Sequence, residues 1–226
     1  TLNDSPRLQT LLAYLVLHCD APQPRRQLAF LFWPESTERQ ARTNLRKLLL
    51  QLRRALPANE KYIIDTQQTI QWKPDVSCWV DVAEVQAILA QLKSDASELT
   101  TLTRLSDLYS GELLPNCYDE WVLMLRRHLH EAIIQALSQL VRVLEQRHAY
   151  KEGIHYAQRL LHLDPLEEQS YLRLIRLHAL GGDRTGALRT YHDCVATLRR
   201  EFDIAPAAEI QRLAQQLQAG LPIQET

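Results

Sequence analysis

No stretch of the 226-residue chain approaches the roughly 18 consecutive apolar residues that a membrane-spanning helix needs, and no secretory leader opens it. A membrane protein of the helical kind is therefore not expected, and the membrane is left out of the expected partners. The four cysteines, Cys19, Cys78, Cys117 and Cys194, lie far apart and form no CxxC pair. A disulfide framework and a cysteine zinc site are therefore not expected, and a reducing cytoplasm is. The histidines offer no metal set either. His128 and His130 are two apart and point different ways on a helix, while a turn near Tyr150 separates His148 from His155 and His162. There is no H-E-x-x-H, no G-x-S-x-G, no Walker loop and no G-x-G-x-x-G. The reading is a non-enzyme with neither cofactor nor metal, and Gly181–Gly182 is a turn between helices. Net charge is lacking too, at −1, so the molecule as a whole is not a polycation.

What is present is an ordinary globular composition, 46% hydrophobic and 23% charged, with enough length for one large domain or two small ones. The charge is unevenly spread. Residues 1–75 hold eleven Lys/Arg against seven Asp/Glu, a net +4, which leaves −5 for the remainder. A basic binding module joined to an acidic partner-binding one is one arrangement that fits. The first residue is Thr1, so a piece of a longer protein is expected.

Leu8, Leu11, Leu12, Leu15 and Val16 recur at helical spacing and predict a first helix over about 7–18, broken by the two prolines of "DAPQP". "RRQLAFLFW" (25–33) predicts a second, stopped before Pro34. Thr37 and Gln40 fit a T-x-x-Q capping box and start a third near Glu38, which Pro57 ends. On that helix Ala41, Leu45, Leu48, Leu49, Leu52 and Leu56 form one apolar stripe. Gln40, Thr43, Lys47, Leu50, Gln51 and Arg54 point the other way, with Arg42, Arg46 and Arg53 on one flank and Asn44 on the other. "YIIDTQQTIQW" (62–72) changes to a period of two around a polar turn, a hairpin signal. Three helices followed by a hairpin is the order of a winged helix-turn-helix.

"KPDVSC" (73–78) is the predicted joint. Beyond it every long stretch reads as helix, over about 79–93, 97–109, 119–148, 151–163, 167–180, 184–201 and 206–218. "LYSGELLPNCYDEW" (108–121) is the one irregular piece. "AYKEGIHYAQRLLHL" and "DRTGALRTYHDCVAT" align at an offset of 34 residues, with Gly153 on Ala187 and Ala157 on Tyr191. The preceding helices align at the same offset, with Leu140 on Leu174, Val141 on Ile175 and Arg142 on Arg176. A helix–turn–helix of this period is the tetratricopeptide signature.

"LLAYLVLH" (11–18), "RRQLAFLFWPES" (25–36), "ARTNLRKLLLQLRRAL" (41–56), "WVDVAEVQ" (79–86), "LYSGELLP…YDEWV" (108–122) and the stretch 157–194 come in an order that resembles the SARP-type bacterial transcriptional regulators. The resemblance implies a mostly α protein. An OmpR-like winged helix over 1–76 would precede an all-α, tetratricopeptide-like bacterial transcriptional activator domain over 77–226. It also implies a DNA-binding regulator, with double-stranded DNA as one partner and a protein, or a second copy in a homodimer, as the other. The chain departs from the pattern in three places. The small sheet ahead of the first helix is missing or truncated, Leu50 stands where a small polar residue is usual, and the hairpin tip carries Gln67 and Gln68 without an arginine.

The candidate DNA contacts follow from the chemistry of base edges and phosphates. Lys47 and Arg54 can donate to guanine or phosphate, Asn44 and Gln51 can pair with adenine, and Leu50 can meet a thymine methyl or a neighbouring protein. Arg39, Thr43 and Arg46 lie on or beside the same face. Arg25 and Arg26 open the second helix, where backbone N–H groups also favour an anion, and Gln67 and Gln68 could reach a minor groove. The plain alternative is a solvated amphipathic face, in which case the chain is a protein-interaction adaptor. A third is the front end of a larger signalling regulator. In the helical domain Tyr150, Tyr156, Tyr171 and Tyr191 are candidates to line a partner-binding groove. Asp119, Glu120 and Trp121 read as capping and packing residues of the long helix after them.

Overall fold

The computed structural model describes residues 5–56, 61–73, 79–92 and 99–221. Pro57 and the joint at 74–78, with Cys78, lie outside the described residues. The chain forms two compact units. One takes the residues up to Glu84 together with Gly111–Arg127, and the other takes Val85–Ser110 with His128 onward. The first unit thus gathers a stretch far along the chain, which local periodicity does not reveal.

In the first unit, α1 (Pro6–Leu17) starts on proline, whose fixed φ suits a first helical turn, and α2 (Arg25–Phe32) and α3 (Glu38–Ala55) follow. Thr37 caps α3, its hydroxyl accepting from the Gln40 backbone N–H at 3.3 Å. The return half of the expected capping box is not made: Gln40 Nε2 donates instead to Asn44 Oδ1 at 2.8 Å. The leucine stripe is buried as its spacing requires. Ala41, Leu45, Leu48, Leu49 and Leu52 pack with Leu11 and Leu15 of α1, with Leu28 and Phe32 of α2, and with Ile63, Ile70 and Trp72. Each fully buried leucine contributes about 2 kcal/mol, so α3 is fastened by its inner face.

The hairpin consists of β2 (Ile63–Asp65) and β3 (Thr69–Trp72), antiparallel with Ile63 opposite Trp72. A third strand, β1 (Gln23–Pro24), pairs with β3 through Gln23 opposite Ile70, giving the order β1-β3-β2. It lies within "DAPQP", which the sequence reads only as a break. Two residues at a sheet edge tolerate the proline because its missing N–H is not needed there.

The irregular stretch of the first unit is tied by Arg126, which donates to the carbonyls of Leu113 at 3.0 Å, Leu114 at 2.6 Å and Cys117 at 3.0 Å. Asp119 takes Arg7 of α1 at 2.6 Å, and Trp121 stands edge-on to Tyr14 with centroids 5.1 Å apart. These residues therefore pack against α1. The Asp119 backbone carbonyl, rather than its side chain, accepts from the Val122 N–H at 2.9 Å.

The helices α4 (Asp81–Leu92) and α6 (Glu120–Gln146) each run across the division between units. Within the second unit are α5 (Leu99–Leu108), α7 (Tyr150–Leu163), α8 (Glu168–Leu180), α9 (Arg184–Phe202) and α10 (Ala208–Gln218). The 34-residue period is visible as α6–α7 followed by α8–α9. The equivalent residues Leu140 and Leu174, Val141 and Ile175, and Gly153 and Ala187 are all buried. A β-carbon at Gly153 would come within 3.1 Å of Leu177 Cδ2, so glycine there sets the close approach of α7 to α8. Arg159 of α7 holds the end of α5, donating to Ser106 Oγ at 2.9 Å and to the Tyr109 carbonyl. No described helix is long and apolar enough to cross a membrane.

Candidate nucleic-acid interface

The side of α3 opposite the leucine stripe is open to solvent. Arg39, Arg46, Lys47, Leu50, Gln51 and Arg54 are all exposed. Leu50 is 47% exposed. The four cations among them make no ion pair or hydrogen bond among the described residues. At about 1.5 Å per residue, Arg39 and Arg54 are roughly 22 Å apart along the rod, a length that spans several base pairs of a duplex. Thr43 and Asn44 are half-buried. The Thr43 hydroxyl donates back to the Arg39 carbonyl at 2.9 Å, and Asn44 holds Gln40, so both have local partners on this face.

Several other cations of the unit are engaged within the protein. Arg25 pairs with Asp65 and donates through Nε to the Thr66 carbonyl at 2.9 Å, and its backbone N–H donates to Gln68. Burial lowers the pKa of its guanidinium, which still stays charged at neutral pH. Arg53 of α3 pairs with the same Asp65 from the other side. One carboxylate thus clasps the hairpin to the start of α2 and the end of α3. Arg42 takes Glu38 one turn back at 2.7 Å, and Arg26 reaches the same carboxylate at 3.4 Å while lying 5.9 Å over the Phe30 ring. Arg25 is therefore a structural tie of the hairpin, and Arg26 remains largely exposed. Asp65 and Arg53 escape a reading of the sequence, because nothing local marks a carboxylate in a polar turn as the partner of arginines well upstream on two helices.

At the hairpin tip Gln67 and Gln68 are exposed. The turn is built by Thr66, whose hydroxyl accepts from the Thr69 N–H at 2.9 Å and from the Gln68 N–H at 3.3 Å. The side chains of Gln67 and Gln68 are not used in forming it. Exposed apolar residues also stand on this unit, among them Phe30 and Ile64.

The four tyrosines of the second unit separate by burial. Tyr171 is 6% exposed and its hydroxyl donates to Thr197 at 3.4 Å, so it belongs to the core and offers no groove surface. Tyr156 and Tyr191 are half-buried and pack against the cores of the repeats. Tyr150 lines a groove, beside Arg142, Arg173 and Arg176. The arginines were not legible as a site, since each reads as a solvated helix residue. Among the described residues no group of three or more His, Cys, Asp and Glu side chains could hold a metal ion.

Comparison with known proteins gives one family match and several similar solved structures. The sequence profile of the family described as "Bacterial transcriptional activator domain" matches residues 80–218. Among solved structures, EmbR of Mycobacterium tuberculosis, determined in complex with a low-affinity phosphopeptide, superposes with a TM-score of 0.62 at 20% identity over 97% of this chain. The chain spans 61% of that protein's length. The C-terminal tetratricopeptide-containing domain of a Plasmodium falciparum FK506-binding protein matches 63% of this chain and 93% of its own, at 14% identity and a TM-score of 0.43. Curated protein sequences give no match.

Proposed function

Because the chain belongs to the bacterial transcriptional activator domain family, we propose that it is a DNA-binding transcription regulator whose first unit is a winged helix reading double-stranded DNA through α3. The four partnerless cations Arg39, Arg46, Lys47 and Arg54 carry this reading. Arg25, Arg42 and Arg53 are engaged in ion pairs of the fold, whereas these four face outward from a helix whose other side is locked into the core. Three helices and a sheet of order β1-β3-β2 support the winged-helix reading. A helix about 10–12 Å wide fits the major groove, Lys47 and Arg54 donate to guanine edges or phosphates, and Leu50 meets a thymine methyl. Gln67 and Gln68 at the hairpin tip lie against the neighbouring minor groove. The helical unit receives a protein partner or a second copy of the chain, and the molecule acts in the cytoplasm without catalysis.

Counting Arg26 with the four free cations gives about five phosphate contacts, so log affinity falls with log salt at a slope near −4.5. Selection of bound sequences from a random duplex library, followed by titration at low and high salt, tests both halves of the reading. An enriched motif and a slope of that size are expected, and no binding at low salt overturns it. The exposure of Leu50 together with Ile64 favours the second reading, an adaptor whose α3 face docks on protein. That reading predicts no DNA binding at any ionic strength.

A further inference from the structure

Along α6 and α8 the second unit carries a groove of about 790 Å³, continuing into a part of about 500 Å³ that Tyr150 lines. Arg142, Gln146, Gln169 and Arg173 line both parts, which are therefore one surface. Arg176, the repeat-equivalent of Arg142, is neutralised by Glu145 at 3.3 Å. Arg142 is not: it is exposed and has no ion pair or hydrogen bond among the described residues. Arg173 is half-buried and makes one hydrogen bond, from Nη1 to the Ser138 carbonyl at 3.0 Å, although a guanidinium carries five N–H donors. The two like charges act on each other. Burial first, and Arg142 second, lower the pKa of Arg173, with Glu167 and Glu145 opposing. Two guanidiniums held together beside an open groove, with most of their donors uncommitted, are arranged for an anion that would relieve the repulsion and complete the hydrogen bonds.

We infer that this groove binds an extended segment of a protein partner through one acidic side chain, its carboxylate seated between Arg142 and Arg173. A carboxylate matches the planar fork of arginine. It also fits the remaining charge of the groove better than a phosphate dianion would, since Glu145, Glu167 and Glu209 line it as well. Tyr150 gives a neighbouring apolar side chain of the segment a surface to lie on. The inference rests on the partner-binding half of the proposed function and is independent of the DNA-binding half.

The test is selection of a random decapeptide display library on the intact chain, with Arg142→Ala as the counter-target. Arg142 is exposed, and circular dichroism verifies that the variant keeps its helices. Enriched peptides are expected to carry Asp or Glu next to an apolar residue. Synthetic copies measured by fluorescence anisotropy should bind Arg142→Ala and Arg173→Gln about tenfold or more weakly, and weaken when the acid is replaced by its amide. No enrichment, enrichment without acidic residues, or equal binding to the Arg142→Ala chain overturns the inference. Tighter binding when phosphoserine replaces the acid overturns the choice of carboxylate. Salt-dependent duplex binding by the same proteins is read separately, so that failure of DNA binding and failure of peptide binding are told apart.

Discussion

Replacing Lys47 and Arg54 together by alanine isolates the outward face of α3 from the fold that presents it. Both side chains are exposed and make no ion pair or hydrogen bond among the described residues, so folding stability should change by less than about 0.5 kcal/mol. DNA binding should change in two ways. About five phosphate contacts give a salt slope near −4.5, and about three give roughly −2.7. Each lost contact also forfeits counterion release of about 0.7 log units at about 0.15 M salt, so affinity for random duplex should fall roughly 30-fold there. Fluorescence anisotropy of a labelled duplex, titrated from about 50 to 200 mM salt, reads both quantities. The charge control is Lys151→Ala with Arg199→Ala, which removes the same net charge from exposed positions of the second unit and should leave the slope unchanged. An unchanged slope and affinity in the Lys47 and Arg54 variant, with the fold intact, would refute the assignment of this face to DNA.

Three further outcomes follow from local geometry. Thr37→Ala removes the hydroxyl that accepts the Gln40 N–H at 3.3 Å and should cost about 1 kcal/mol, read as a lower urea midpoint with an unchanged m-value; Thr37→Ser should restore most of it. Asp183 caps α9 by accepting from the Gly186 N–H at 2.8 Å, and this bond, with His178 beside it, holds its carboxyl below the usual range. Its contribution to stability is therefore complete above the unfolded value near about pH 3.9 and is lost as pH falls through the lower folded value. Asp183→Asn, which keeps an acceptor at the cap, should remove that acid-limb loss from urea midpoints measured between about pH 6 and pH 2.5. Burial pushes the Cys194 thiol up to about 12, so iodoacetamide at about pH 8 should label half-buried Cys19 in the folded chain and spare Cys194. Equal labelling of the two would contradict the closed core around α9.

The elements set by local periodicity were legible in the sequence to within a residue or two. The leucines of α3 recur every three or four residues and are buried on that schedule, and the 34-residue offset places Gly153 and Ala187 at matching buried positions. What the sequence hid depends on distant partners. Strand β1 exists only because Ile70 and Thr69 lie opposite Gln23 and Pro24, and Pro24, with Pro22 just ahead of it, signals the reverse of a strand. Arg25 reads as a free cation at a helix start, yet Asp65 engages it from 40 residues away. Tyr171 and Tyr150 share a residue type and a helical setting, but only packing decides that the first is core and the second lines the groove. The same holds for Arg142 and Arg176, equivalent by repeat and different by one neighbouring glutamate.

The clasp at Asp65 has a mechanical consequence. With Arg25 pulling from one helix and Arg53 from another, the hairpin is strapped rather than hinged, and its tip keeps a preset spacing from the cationic rod. A ligand that touches rod and tip together would meet both already aligned, and little ordering entropy would be lost on contact.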